Sequence, residues 1–278
     1  MADRLPNESR VVIDKGVDLG KQGTVKSSKL TYQVLVDGRD KLKPYADTSL
    51  HAYVPPTTPP NTPPRFDGSA TRGFGPWDAI QDGAHDQQFG NSQITIEDGK
   101  FRFYVNDRSA SNGPRAELGL WGCVREGTTD YIGDILTVPS DPNQRVGWVE
   151  KNHDLIQFGH PGHDAPPFRL NIIKRGSGPA ILVLLQGDAH ALVLGELDNL
   201  YDLRIPLTFR VKWSRGDDGE IQTWMAGHDM GTLYGPTLHP TRGGETGSMK
   251  SGQYGESDGN VTFWDGMKIG PTYESVQR

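Results

Sequence analysis

The feature that most constrains this chain is the period of its apolar residues, which recur at every second position. Residues 115–121 (RAELGLW) put Ala116, Leu118 and Leu120 on one side and Arg115, Glu117 and Gly119 on the other. That is the pattern of a strand with one face in a core. Residues 207–214 (LTFRVKWS) and 219–226 (GEIQTWMA) flank the turn-rich Arg215-Gly216-Asp217-Asp218, and residues 94–96 and 100–105 straddle Glu97-Asp98-Gly99. Both read as hairpins. Residues 129–138, 154–158, 168–174, 180–186 and 261–269 read as further strands. No amphipathic helix of three turns or more emerges from the pattern. The 35 glycines and 20 prolines among 278 residues supply the turns that many short strands need. About a dozen strands beyond Arg65 predict an all-β, two-sheet sandwich of jelly-roll type.

Residues 1–54 read as a separate, smaller β-unit. RVVI over residues 10–13 is a short strand, and Gly23-Thr24-Val25 begins another. LTYQVLV over residues 30–36 alternates and stops at Asp37-Gly38, a favoured hairpin turn. Residues 50–54 then close the unit. The runs VVIDKG, GKQGTV and YQVLVDG resemble small SH3-like or KOW-like barrels, which implies a docking module. Residues 55–64, PPTTPPNTPP, carry six prolines and so favour an extended, semi-rigid polyproline II spacer. The expected domains are therefore a barrel over 1–54, a linker over 55–64 and a sandwich over 65–278.

Composition narrows the partners. A net charge of −6 argues against nucleic-acid binding through a uniformly basic surface, while leaving room for a local basic site. Cys123 is the single cysteine, so no intrachain disulfide or cysteine zinc site is expected, and WGCV reads as a buried stretch. The opening residues, MADRLPNESRVVIDKG, show no apolar signal core, and no run is long and apolar enough for a membrane-inserted helix. The sequence leaves a homo-oligomer open.

Four polar groups stand out, each with a structural and a functional reading. Arg115 and Glu117 form either a cross-strand ion pair or an anion site in which the carboxylate fixes the guanidinium. Gln157 ends an apolar strand, with His160 and His163 in the loop beyond. No helix presents the two histidines on one face, so no metal is expected. Trp224 lies in a strand of the 213–239 region and either packs in the core or stacks on a sugar ring. Lys250, Gly252 and Tyr254 alternate along MKSGQY, and glycine at 252 reads as room beside the tyrosine for a ligand.

Taken in order, RAEL, LIQFGH, FRVKWS with GEIQTWMAG, GPTLHP, MKSGQY and VTFWDGMKIG resemble the polysaccharide lyases of heparin-lyase-I-like and alginate-lyase-like type, over residues 66–270. The resemblance implies a concanavalin-like jelly roll and β-elimination of uronic-acid polysaccharides with no redox cofactor. It implies carboxylate neutralisation by Arg115 and Gln157, and acid and base roles for His160 and Tyr254. Lys250, Glu117 and Trp224 are the expected substrate-binding residues. The family reads Gln-x-His where this chain has Gln157-Phe158-Gly159-His160, and a one-residue slip on a strand turns a side chain to the opposite face. Ser251 and Gly255 also differ from the family's pattern around the tyrosine.

A docking barrel, a stiff spacer and a sugar-directed sandwich together suggest a bacteriophage virion protein, a minor tail or capsid-decoration protein. Such a protein is assembled in the host cytoplasm, docks on another virion protein through residues 1–54 and meets an anionic or cell-surface polysaccharide. The alternatives are an extracellular active lyase and a purely structural decoration protein.

Overall fold

Asp98 and Gly99 both take positive φ, 50° and 72°. That backbone twist matches the flanking strands of a two-residue hairpin and sets Glu97 opposite Lys100. Such local devices recur through a computed structural model that describes residues 62–85, 91–106, 114–141, 152–160, 165–174, 179–187, 190–239, 246–255 and 258–277, together with the backbone of five earlier strands. Residues 55–61, His163 and the side chains of residues 1–54 and of His160 lie outside the described residues.

The chain divides into two compact units, one of residues 1–59 together with 225–228 and one of the remaining residues. In the first, β1 (Arg10–Ile13), β2 (Gln22–Val25), β3 (Thr31–Val36), β4 (Leu42–Ala46) and β5 (Leu50–Ala52) form one antiparallel sheet. Its strand order is β4-β3-β2-β1-β5. The sequence pattern missed β4, which contains Pro44 and so lacks an uninterrupted strand signature.

The second unit begins with β6 (Phe66–Asp67), β7 (Ala79–Gln81), β8 (Gln93–Glu97), β9 (Lys100–Asn106) and β10 (Arg115–Arg125). It continues through β11 (Thr129–Thr137), β12 (Asn152–His160), β13 (Phe168–Lys174), β14 (Ala180–Gln186) and β15 (His190–Glu196). β16 (Ile205–Lys212), β17 (Glu220–Met225), β18 (His228–Tyr234), β19 (Thr246–Tyr254), β20 (Asp258–Trp264) and β21 (Lys268–Gly270) complete it. These strands make two antiparallel sheets. One has the order β15-β14-β13-β12-β19-β10-β7, and the other runs β18-β17-β16-β11-β20-β9-β8 with β21 and β6 attached. Among the described residues there is no α-helix. The strands β15 and β18, absent from the sequence expectation, are edge strands whose half-exposed residues do not alternate cleanly.

The core lies between the sheets. Ala116 and Leu118 of β10, Ile156 and Phe158 of β12, and Phe168, Leu170 and Ile172 of β13 are fully buried there. Phe158 meets Phe209 of the facing sheet edge-to-face at 5.1 Å. Removing each of these leucine, isoleucine and phenylalanine side chains from water stabilises the fold by roughly 1.5–3 kcal/mol. Gln253 is buried among them, with its Nε2 donating to the Phe103 carbonyl at 3.1 Å and to Thr262 Oγ1 at 2.9 Å. These bonds satisfy both amide hydrogens, as a buried donor requires. Cys123 is half-buried rather than buried, and desolvation pushes its thiol up to about 12.

Candidate active site

The seven-stranded sheet has a second face, turned away from the core, and it is polar in the middle. The pairing of β10 with β19 sets Arg115 opposite Tyr254, Glu117 opposite Gly252 and Gly119 opposite Lys250. On the other side of β19, Gln157 of β12 stands opposite Lys250 and Asp154 opposite Tyr254. β13 continues the row, with Asn171 beside Asp154 and Arg169 beside Gln157. Period-two alternation thus brings side chains from residue 115 to residue 254 onto one surface.

Glu117 is the hub. It is 2% exposed. Its Oε1 accepts a hydrogen bond from Gln157 Nε2 at 2.9 Å, and its Oε2 lies 3.8 Å from Arg115 Nη1 and 3.6 Å from Lys250 Nζ. Burial pushes the carboxyl above the ordinary range, and the charges of Lys250 and Arg115 oppose that shift. Asp154 forms a second hub that the sequence reading missed. Asn171 Nδ2 donates to its Oδ1 at 2.9 Å, Arg169 Nη1 lies at 3.9 Å, and Gln157 Nε2 approaches Oδ2 at 3.4 Å. Desolvation raises Asp154 to about 6 against the pull of Arg169. One signal was present: Arg169 and Asn171 alternate as the polar residues inside the otherwise apolar strand FRLNIIK.

Gln157 has a consequence for recognition. Its Nε2 sits between two carboxyl groups, so both amide hydrogens point into the protein. Its Oε1 is buried without a hydrogen-bond partner among the described residues. Neither amide hydrogen is therefore left for a substrate carboxylate, the role the resemblance implied. Arg115 and Lys250 remain the groups suited to an anion. Arg115 also lies over the Tyr254 ring, with Cζ 4.7 Å from the centroid, so the tyrosine and the cations share one place. With Arg115, Lys250 and Arg169 set against Glu117 and Asp154, the fully ionised cluster carries one net positive charge.

Two irregularities of β12 shape this site. Its register shifts between Asp154 and Ile156 against both neighbours, which places Asp154 and Gln157 on one face although they are three apart in sequence. It shifts again between Gln157 and His160, where Gly159 takes φ +63°. The extra residue is absorbed there as a bulge, and His160 pairs with Ser248, two positions from Lys250. The slip expected from the Gln-Phe-Gly-His spacing is therefore cancelled at the level of backbone register. A Cβ at residue 159 would stand 2.0 Å from the Thr237 carbonyl oxygen, so glycine is required.

Other expectations change. Gly252 leaves no space for a ligand: a Cβ there would lie 2.1 Å from the Ala116 carbonyl oxygen and 2.8 Å from Glu117 Cα, so β10 itself fills the room. Trp224 is not brought to the cluster. It stands on β17 of the nine-stranded sheet, half-buried against Tyr131 and Tyr273 with ring centroids at 6.4 and 5.3 Å. His153, next to Asp154, is buried and pushed down to about 4 by desolvation, which keeps it neutral.

No family model matches the sequence, and no curated protein matches it. Solved structures do. The endo-β-1,4-glucuronan lyase from the fungus Trichoderma reesei superposes with a TM-score of 0.55 at 12% identity, covering 77% of this chain and 98% of that one. The fold is a jelly-roll β-sandwich, shared with that structure. Alginate lyase Aly36B matches with a TM-score of 0.44 at 14% identity, over 75% of this chain and 94% of that one. Alginate lyase vAL-1 from Chlorella virus matches with a TM-score of 0.38 at 13% identity, over 70% of this chain and the whole of that one.

Proposed function

We propose that this protein binds a uronic-acid-containing polysaccharide on the outer face of the seven-stranded sheet and cleaves it by β-elimination at Tyr254. The observation that carries the reading is the meeting of Arg115, Lys250 and Tyr254 over the buried Glu117. Holding the uronate carboxylate against the two cations stabilises the negative charge that develops when the C5 proton leaves. Tyr254 takes that proton as phenolate, and the electron pair of the C5–H bond is held as the enolate of the carboxylate. That pair forms the C4–C5 double bond as the C4–O4 bond breaks, and O4 leaves with a proton from Tyr254 or from His160.

Incubation with polyuronates tests this by the ultraviolet absorbance of the unsaturated product. The wild type generates it, and Tyr254→Phe abolishes it while the polysaccharide is still retained on an affinity gel. A Tyr254→Phe variant that cleaves at the wild-type rate refutes the role. Binding without cleavage is the second reading, favoured by the commitment of both Gln157 amide hydrogens to Glu117 and Asp154. Retention of polysaccharide by a wild type that releases no product would establish it. The setting inferred from the sequence, a virion surface with residues 1–54 as the docking part, belongs to the same proposal. Mass spectrometry of purified virions that detects none of the protein sinks that part.

A further inference from the structure

Trp121 is one of the few large apolar side chains exposed among the described residues, at 41%. It follows Arg115, Glu117 and Gly119 at the next alternate position of β10, so it belongs to the polar outer face and not to the core. Its ring folds back over Gly119. A Cβ at residue 119 would stand 2.8 Å from both Cζ2 and Cη2 of the indole, so the ring has its place only because residue 119 is glycine. Gly119 pairs with Lys250, and Lys250 Nζ lies 5.9 Å from the Trp121 ring centroid. The backbone N–H of Trp121 donates to Asp78 Oδ2 at 2.7 Å, and beyond it the strand changes register between Leu120 and Val124, with Gly122 at φ +59°. An indole with that much exposed surface, seated on a glycine beside the cation of an anion site, is held ready for a flat apolar partner.

We propose that Trp121 is the stacking platform for a pyranose ring of the bound polysaccharide, next to the ring held by Arg115 and Lys250. The inference builds on the polysaccharide-binding reading and adds a contact of a different kind. The indole face meets the C–H face of the sugar, is indifferent to its charge, and fixes the direction in which the chain crosses the sheet. Lys250 lies between the indole and Glu117, so the platform and the carboxylate site share one side chain.

The test uses the full chain and two probes, a polyuronate oligosaccharide and a neutral β-linked glucan oligosaccharide, with calorimetry and tryptophan fluorescence as readouts. Trp121→Ala weakens polyuronate binding roughly tenfold and leaves its salt dependence unchanged. Trp121→Phe keeps most of the affinity but loses the ligand-induced change in fluorescence. Wild-type affinity in Trp121→Ala, or an undiminished fluorescence change in Trp121→Phe, overturns the platform. A wild type that binds the neutral glucan through Trp121 but not the polyuronate upholds the platform and overturns the uronate reading. A wild type that binds neither overturns both.

Discussion

His153 and Asp154 are neighbours in the chain, lie on opposite faces of one sheet, and respond to protons in opposite senses. Asp154 is raised from 3.8 to about 6, so the stability it contributes is complete below about pH 4 and is lost as pH rises through 6. His153 is lowered from 6.5 to about 4, so its contribution is complete above about pH 6.5 and is lost as pH falls through 4. Over that window the two offset each other. Asp154→Asn copies the shape of the protonated acid and removes the first effect. The variant's stability should therefore climb more steeply than the wild type's between about pH 4 and 6.5. Urea midpoints measured across that range check this, and superimposable curves for the two proteins would refute it. Lys250 at 4% exposed makes the reverse point: it is tolerated because Glu117 is beside it, and removing either alone leaves an uncompensated buried charge.

At the scale of the element, β12 and β19 owe their usefulness to irregularity. A straight strand separates Asp154 from Gln157, and the register shift reunites them. Gly159 and Gly252 hold such backbone, at φ +63° and +145°, each with a carbonyl oxygen where a Cβ would go. Gly252→Ala should therefore cost roughly 2–4 kcal/mol of stability, combining overpacking with backbone strain. Gly159→Ala should cost a comparable amount and push His160 out of register with Ser248. Denaturant unfolding gives the first effect. If both variants unfold at the wild-type midpoint, these close approaches are not what holds the strands in place. The edge strands β15 and β18 show why pattern reading falls short at the margins, because half-exposed residues on both faces leave no period to find.

At the scale of the whole molecule, the residues of the polar cluster and the core beneath them belong to the second unit. A chain lacking residues 1–59 should accordingly unfold in one cooperative transition and bind polyuronate with the affinity of the full chain, measured by calorimetry. Loss of binding in a folded fragment would place part of the site in the first unit. The sequence by itself determined the all-β class, the interior stripe of Ala116, Leu118 and Leu120, and two one-sided pairs, Arg115 with Glu117 and Lys250 with Tyr254. A two-residue period needs no knowledge of partners, because side-chain direction follows from the backbone of each strand alone. The tertiary structure decided what depends on register between strands. It joined Asp154 and Asn171 to the cluster, turned the Gln157 amide hydrogens inward, filled the space at Gly252 with β10, set Trp224 on the other sheet and laid Trp121 over Gly119. Each of these is fixed by which strands pair and in what register, and that exists only once the sheets are assembled.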